Sequence, residues 1–433
     1  MTANKIISPD FDTTSTNAVV VELASTAQVS IDASSGLTDA FGRFRVSDPF
    51  TIFAHKQICD LSEYAQNVEN FPSVYDNQEV SGGSTATLFL PNEAATRLSV
   101  GATTAGKRVR QSRRRMNYQP GKSQRVQLTG VLGAGAVGIT QQYGLFDDKN
   151  GLFFQVEDGG LAVVRRSYIT GAAVDEVVDQ GDWNRDRMDG TGPSGITLDL
   201  DATQIFYIDF EWLGVGGVRF GVVVDNIIYY VHQMNHANNL PTVYMSTPNL
   251  PVRMSVENDG TGPAYTVDMI CSNVDSEGGV EPQGRSRTYN IGVTPLALAS
   301  AANKYAVIGL KMRASHIGQQ VDLTDVNIVI TSVNDSCLWE LHVNPTLSAP
   351  LVYANLPDSA MQVATGTGQT LTANGYKIAS DYGRTEVKGV LPDNMIEKPG
   401  AAIDGTPDEY VLVCQPVTAP VSVLAALNWR ELV

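Results

Sequence analysis

The chain has 433 residues, a formal net charge of −16, and 18% charged against 43% hydrophobic side chains. This length is too great for one ordinary β-sandwich, so two or three domains are expected. The hydrophobic share is large enough for packed cores and excludes wholesale disorder. The acidic balance argues against a general nucleic-acid-binding role, because phosphate contacts need a basic face.

Neither export nor membrane insertion is indicated. Met1 is followed by TANKIISPDFD, which lacks the basic and apolar regions of a signal peptide. No apolar run reaches the roughly 18 residues that span a bilayer, so we expect a soluble protein without a membrane partner. The cysteines, Cys59, Cys271, Cys337 and Cys414, lie singly. Cys271 and Cys414 are expected to be buried free thiols, and disulfide bonds stay open as the alternative.

Residues 1–60 are predicted to form an N-terminal arm and docking segment. Residues 1 to about 35 are rich in Ser, Thr, Asp and Ala, which favours an extended arm ordered by a neighbouring subunit. The segment Ala40–Lys56 would then dock on that neighbour. Its candidate interface residues are Phe41, Arg43, Arg45, Phe50 and Phe53.

Residues 61–282 are predicted to form a jelly-roll β-sandwich. From about Thr85, short apolar runs follow one another with Gly-rich turns, which is typical of antiparallel sandwiches. The stretch 189–239 predicts three strands at period two, with a tight turn at Asp225-Asn226. The first strand alternates Phe206, Ile208, Phe210 and Trp212 on an apolar face with Ile205, Tyr207, Asp209 and Glu211 on the other.

Residues 283–433 are predicted to form a second β-sandwich, after a linker over Ser276–Arg287. Runs such as KYAVIGLKMRA and VSVLAALNWREL again alternate at period two or are continuously apolar. Helix signals are scarce, and Leu296–Asn303 is the best short candidate. The predicted fold class is therefore all-β, with two antiparallel β-sandwich or jelly-roll domains and an extended N-terminal arm.

The strongest basic signal is KRVRQSRRR over Lys107–Arg115. It lacks interleaved aromatic residues and belongs to an acidic protein, so nucleic acid is the weaker alternative. We expect a strand face that pairs with an acidic neighbouring subunit or with the Asp/Glu-rich segment 175–189. The candidate residues are Lys107, Arg108, Arg110, Arg113, Arg114 and Arg115.

Asp182, Asn184 and Asp186 have the D-x-N-x-D spacing that begins a calcium loop. Glycine falls at the ninth position instead of the sixth, and no glutamate closes the loop. A structural loop is the favoured interpretation, and no cofactor is expected.

Two further patterns argue against catalysis once their spacing is checked. His232 and His236 are four residues apart, but the glutamate of a helical zinc motif is missing between them. Asp209 and Glu211 would lie about 7 Å apart on one strand face, as a glycosidase pair could. Carboxylates on an exposed strand face are more often simply solvated, so the protein is predicted not to be an enzyme.

Three aromatic side chains are candidates for stacking on sugar rings: Trp183, Trp212 and Tyr230. Aromatic residues in β-sandwiches more often belong to the core. Binding of a host-surface glycan by the first sandwich stays as an alternative.

Several long phrases together resemble a family of tailed-bacteriophage virion structural proteins. The phrases are AFGRFRVSDPFTIFAHKQ (Ala40–Gln57), RRMNYQPGKSQ (Arg114–Gln124), WNRDRMDGTGPSG (Trp183–Gly195), IDFEWLGVGGVRFG (Ile208–Gly221), HQMNHANN (His232–Asn239), TPNLPVRMSVEN (Thr247–Asn258) and NWREL (Asn428–Leu432). They span most of the first 260 residues and the C-terminal end. The first domain also resembles a laminin-G or concanavalin-like jelly roll, from GLFFQVEDGGLAVVRRS at Gly151–Ser167, although lectin-type calcium ligands are not evident.

The resemblance implies a non-enzymatic virion subunit that self-assembles in the tail or neck, as a collar, sheath or fibre-anchoring component. Its expected partners are other virion proteins and further copies of itself, joined in the host cytoplasm. The alternative is a capsid decoration or receptor-binding protein whose first sandwich holds host glycan. A glycan-cleaving tail enzyme is the third and least favoured hypothesis.

Overall fold

A computed structural model describes residues 39, 41–42, 45, 47–58, 74–281, 284–331, 335–384, 386–390 and 398–432. Contacts along the chain define two units, Met1–Phe44 and Arg45–Val433. The predicted arm over residues 1–35 lies outside the described residues, as do Arg43 and Cys59. In the first unit, the backbone N–H of Phe41 donates to the Asp39 carboxylate at 2.9 Å. Both sandwiches described below belong to the second unit.

The strands of the first sandwich are β1 (Phe50–Lys56), β2 (Tyr75–Gly82), β3 (Thr85–Leu90), β4 (Ala95–Val100), β5 (Gly106–Ser112), β6 (Gln124–Val131), β7 (Ile139–Phe146), β8 (Gly151–Glu157), β9 (Gly160–Ser167), β10 (Val174–Asp179), β11 (Gln204–Phe210), β12 (Val218–Val224), β13 (Ile227–Met234), β14 (Val252–Asn258) and β15 (Tyr265–Ser276). A 3₁₀ turn covers Gln180–Asp182.

These strands form two antiparallel sheets. Sheet 1 has eight strands in the order β13-β12-β11-β6-β15-β4-β3, and β1 pairs with the second half of β15. Sheet 2 has seven strands in the order β10-β9-β8-β7-β14-β5-β2. Aromatic rings of both sheets meet in the core between them: the Phe154 ring of β8 lies 4.8 Å from Phe206 of β11 and 5.5 Å from Phe220 of β12.

The three strands predicted in the stretch 189–239 are confirmed as β11, β12 and β13. The turn between β12 and β13 places Asp225 and Asn226 at φ +51° and +63°. Short polar side chains tolerate this left-handed geometry, which matches the twist of the flanking strands. The alternation is also confirmed, since Phe206, Ile208 and Phe210 are all buried in the core.

The strands of the second sandwich are β16 (Arg285–Asn290), β17 (Leu296–Leu298), β18 (Tyr305–Met312), β19 (Gln320–Ile330), β20 (Ser336–Val343), β21 (Thr346–Leu347), β22 (Ala354–Asn355), β23 (Met361–Thr365), β24 (Leu371–Ala373), β25 (Tyr376–Arg384), β26 (Glu386–Val390), β27 (Glu409–Pro416) and β28 (Val421–Leu432). A 3₁₀ turn covers Ala314–His316.

Sheet 3 has the order β16-β28-β19-β26, with β17 also paired to β28. Sheet 4 has the order β22-β23-β18-β27-β20-β25, and β21 pairs with β24 in a small separate sheet. Trp339 of sheet 4 and Trp429 of sheet 3 are buried in the core between the two sheets. The all-β prediction with two antiparallel sandwiches is therefore confirmed.

Two local predictions need correction or refinement. The helix predicted over Leu296–Asn303 is wrong, because Leu296–Leu298 pairs with β28 as a strand. Cys414 is a buried free thiol as expected, whereas Cys271 is only half-buried. Cys337 is also a buried free thiol. Among the described residues, no helix has the length and hydropathy that a membrane span needs.

Candidate functional site

The basic side chains of Lys107–Arg115 form ion pairs and hydrogen bonds with other residues of the same chain. Lys107 pairs with Glu257 on β14 at 2.8 Å, and Arg115 pairs with Asp147 at 2.5 Å. Arg108 donates to the Thr87 hydroxyl at 2.7 Å. Arg110 is buried, donates to Asn77 and Gln57, and lies over the Tyr75 ring at 4.5 Å.

Two arginines at the end of this stretch meet the second sandwich. Arg113 pairs with the buried carboxylate of Asp408 at 2.5 Å, and the Arg113 carbonyl accepts from the Ala401 backbone at 3.0 Å. Burial lowers the pKa of Arg114, and the negative charge of Asp322 opposes that shift. The stretch therefore joins the two sandwiches, because its cations find partners in both.

The prediction that this stretch pairs with segment 175–189 is wrong, whereas its pairing with an acidic neighbouring subunit stays a prediction. The acidic strand β10 has other partners: Asp175 pairs with Arg166 at 2.8 Å, and Glu176 pairs with Arg165. The error has a physical cause. Alternation along a strand predicts which side a charge takes, but not which distant strand lies beside it.

The predicted docking segment is in part a strand of the protein's own first sandwich. β1 pairs with β15, and Phe53 is buried in the core beside Tyr75, with ring centroids 5.8 Å apart. Phe53 is therefore a core residue and not an interface residue. Phe50 is exposed, and Arg45 pairs with Glu277 at 3.6 Å.

At the calcium candidate, backbone N–H groups donate hydrogen bonds to the side-chain oxygens of Asp186 and Asn184. Asp186 is buried, and its two carboxylate oxygens accept from the backbone N–H groups of Met188 and Ser194 at 3.0 and 2.8 Å. The Asn184 side-chain oxygen accepts from the Gln233 backbone at 2.9 Å, while Asp182 is exposed. These hydrogen bonds fix the conformation of the loop. In the described ranges, no three His, Cys, Asp or Glu side chains are grouped so as to hold a metal ion.

His232 and His236 form hydrogen bonds with two different loops. His232 Nδ1 accepts from the Asn184 backbone at 3.3 Å, and burial lowers the pKa of His232. His236 Nδ1 lies 2.6 Å from the Gly216 carbonyl oxygen, to which it donates, and its ring stacks on Tyr244 at 4.1 Å. Burial also lowers the pKa of His236. Both imidazoles are neutral structural groups at neutral pH.

Asp209 is not a solvated strand carboxylate. It is 0% exposed and makes a bidentate pair with Arg219, with Nε–Oδ1 at 2.8 Å and Nη2–Oδ2 at 3.0 Å. The Tyr230 hydroxyl donates to the same carboxylate at 2.5 Å. Burial raises the pKa of Asp209, and the bonds from Arg219 and Tyr230 oppose that shift. Glu211 lies beyond the end of β11, so the two carboxylates are not a pair on one strand.

The three aromatic glycan candidates have other contacts. Trp183 is buried, and its indole N–H donates to the Val178 carbonyl at 3.1 Å. Trp212 packs against the first core and donates to the Met245 carbonyl. The Arg219 guanidinium lies over the Tyr230 ring at 4.3 Å. Trp183 therefore offers no ring face to a sugar, and Tyr230 has one face covered.

A groove of about 530 Å³ lies on the outer face of sheet 1. Its lining includes the neutral hydrogen-bonding side chains of Gln127, Thr129 and Asn273, beside Ile205 and Lys56. None of the three predicted aromatic residues lines it. Sequence reasoning missed this groove because its residues come from four strands that are distant along the chain.

β3 and β13, the strands at the two ends of the main strand order of sheet 1, carry no Asp, Glu, Lys or Arg, whereas the side strand β1 ends in Lys56. β3 reads TATLFL and β13 reads IIYYVHQM. Their apolar side chains reach solvent: Leu88 is 57% exposed and Ile227 is 55% exposed. Backbone N–H groups of Arg185 and Asp186 bond the Val231 carbonyl, so the 184–186 loop covers the second half of β13. In the described part of the chain, no strand pairs with the outer side of Ile227–Tyr230.

The terminal strands of sheet 2 have a different composition. β10 reads VDEVVD and β2 reads YDNQEVSG, so each contains acidic residues. Charged edge strands resist pairing with another chain, whereas uncharged apolar edges favour it. Sequence reasoning found these strands but missed the difference, because strand order within a sheet depends on long-range contacts.

No protein-family model matches the chain, and no curated protein matches its sequence. The chain is similar to several solved structures. The Emp47p carbohydrate recognition domain is 10% identical with a TM-score of 0.31, and the match covers 56% of this chain and 100% of that one. A legume lectin-like domain from Entamoeba histolytica is 10% identical with a TM-score of 0.29, and the match covers 52% of this chain and 96% of that one.

A third similar structure is a glycoside hydrolase family protein from Mycobacterium thermorestibile. It is 10% identical with a TM-score of 0.34, and the match covers 52% of this chain and 99% of that one. The similar structures thus include lectin-like and glycoside-hydrolase-family proteins, each covering about half of this chain.

Proposed function

We propose that this protein is a non-enzymatic structural subunit of a tailed-bacteriophage virion that assembles through the terminal strands of sheet 1. The observation that carries the assembly step is the absence of charge from both β3 and β13, together with their exposed leucine and isoleucine side chains. The virion context comes from the sequence phrases at Ala40–Gln57, Trp183–Gly195 and Thr247–Asn258.

The two uncharged strands lie at opposite ends of one sheet, which supports a head-to-tail contact between copies. If β3 of one subunit pairs with β13 of the next, the same contact repeats around a symmetric ring. Backbone hydrogen bonds across the contact would extend sheet 1 from one subunit to another. A ring of this kind suits a collar or another tail component.

The test is sedimentation velocity on the wild type and on two edge variants, Leu88→Lys and Ile228→Lys. The wild type is expected to self-associate. Each lysine places an unpaired charge in the contact, which costs several kcal/mol, so the dissociation constant should rise roughly a hundredfold or more. The matched control is Val177→Lys on β10, whose parent side chain is 48% exposed and whose strand is already charged.

The control variant is expected to associate as the wild type does. Particles assembled without this protein should take up the wild type and Val177→Lys, but not Leu88→Lys. A wild type that stays monomeric and does not bind such particles would refute the proposal.

A second candidate function, binding of a host-surface glycan, is favoured by the groove on the outer face of sheet 1. Gln127, Thr129 and Asn273 offer amide and hydroxyl groups of the kind that bind sugar hydroxyls. A glycan array probed with wild type and Asn273→Ala tests it, with Trp183→Phe, in the core, as the control. Binding that the Asn273 substitution removes would support this function, and an array without signal would exclude it.

A further inference from the structure

Three arginines from two segments of the chain line one cleft in the second sandwich. Arg285 and Arg287 lie on β16, and Arg313 directly follows β18. The cleft has a volume of about 660 Å³, and its lining also includes His316, Gln319 and Glu431. This concentration of cations stands out in a chain whose net charge is −16.

Neutral carbonyl groups accept hydrogen bonds from two of these three guanidinium groups. Arg287 donates to the Asp358 carbonyl oxygen, and Arg313 donates to the Leu356 carbonyl oxygen. The Nε atoms of Arg287 and Arg313 are both buried with no hydrogen-bond partner. Elsewhere in the chain, Arg113, Arg166 and Arg219 each meet a carboxylate.

Two acidic residues, Asp358 and Glu431, also line the cleft, and Glu431 is bonded to other groups of the protein. Glu431 is buried, and its oxygens accept from the Ala360 backbone at 3.0 Å and from the Trp429 indole at 2.8 Å. The Ser359 hydroxyl also donates to Glu431. These bonds attach the 358–360 loop to β28.

We propose that this cleft binds the oxyanion group, carboxylate or phosphate, of a small ligand. Guanidinium groups present paired N–H donors that match both anions, and charge-assisted hydrogen bonds of this kind are the strong ones. The cleft volume lies within the range of small-molecule sites, about 300–1,000 Å³. The proposal is independent of the edges of sheet 1.

Isothermal titration calorimetry on the full chain tests the proposal, with inorganic phosphate and glucuronate as separate probes in chloride buffer of matched ionic strength. Saturable binding with one site per chain is expected for at least one probe, and the probe that binds identifies the anion. Arg313→Gln removes one guanidinium group and should weaken binding about tenfold. Arg166→Gln is the control, because Arg166 pairs with Asp175 in the first sandwich.

Arg285 is exposed, so Arg285→Gln should keep the fold even if Arg313→Gln does not. It should weaken the same binding severalfold, whereas the Arg166 control should leave binding unchanged. Absence of saturable binding for both probes would overturn the proposal. Affinity that is unchanged in Arg285→Gln and in any folded Arg313→Gln protein would overturn it as well.

Discussion

Sheet 1 holds Asp209 and Arg219 on its interior strands β11 and β12, while β3 and β13, at the two ends of its main strand order, carry no Asp, Glu, Lys or Arg. Sheet 2 of the same sandwich carries acidic residues on both of its terminal strands, β2 and β10. The same core lies between the two sheets, so the difference does not arise from packing against that core.

The difference between the two sheets suggests a rule: the charge on a terminal strand indicates whether that strand stays in solvent or pairs with a strand of another chain. A terminal strand with charged side chains keeps its hydration and does not accept another strand, whereas an uncharged apolar strand loses little when it is covered. On this basis we expect the edges of sheet 2 to stay in solvent, and we propose that sheet 1 continues into another subunit through β3 and β13. Charge inside a sheet has a different role, which is to fix the fold.

The largest expected effect follows from removing a charge inside sheet 1. Asp209→Ala leaves the Arg219 guanidinium without its bidentate partner in a largely buried site. Breaking such a pair should lower the free energy of unfolding by about 3–5 kcal/mol. Urea denaturation measures this change. The edge variant Asp175→Ala breaks an exposed pair with Arg166 and should cost less than about 1 kcal/mol. Equal losses of unfolding free energy in Asp209→Ala and Asp175→Ala would contradict the distinction between interior and edge charges.

A second prediction extends the comparison to Glu340 on β20, an interior strand of sheet 4. Burial opposes ionisation of Glu340, but hydrogen bonds from Lys304, His342 and Lys377 outweigh it and lower its pKa from 4.5 to about 2. A folded-state pKa below the unfolded value stabilises the fold above pH 4.5, and this contribution is lost as the pH falls toward 2.

The measurement is the free energy of unfolding of wild type and Glu340→Gln across this pH range. Their difference should be largest at pH 7 and should shrink as the pH falls from about 4.5 to 2. A difference that stays constant with pH would show that the ionised Glu340 does not stabilise sheet 4.

The smallest expected effect is the response of self-association to salt. Contacts made by β3 and β13 contain no Asp, Glu, Lys or Arg, so the dissociation constant should change less than about threefold between 50 and 500 mM salt. Sedimentation velocity at both salt concentrations measures it. Weakening of tenfold or more would mean that acidic edges such as β10 take part in the contact.

Much of the fold could be predicted from the sequence because its signals are local. Period-two alternation defines β11, and short polar residues at Asp225-Asn226 define the turn to β13. The helix predicted at Leu296–Asn303 failed because a long-range pairing with β28 overrode weak local propensity.

The candidate sites were harder to predict, since they depend on which strands become neighbours. Asp209 was expected in solvent, although the hairpin register places it directly opposite Arg219, so this pair could have been inferred. The arginine cleft brings together Arg285, Arg313 and Glu431, which are far apart along the chain. No spacing in the sequence indicates that these residues meet.

Hydrogen–deuterium exchange at low and high protein concentration tests the central claim most directly, because it reports which backbone amides become covered on assembly. Added protection at high concentration is expected in Thr85–Leu90 and Ile227–Tyr230, with none in Val174–Asp179 of β10. Protection that is independent of concentration in β3 and β13, or that increases on β10 instead, would contradict assembly through the uncharged edges of sheet 1.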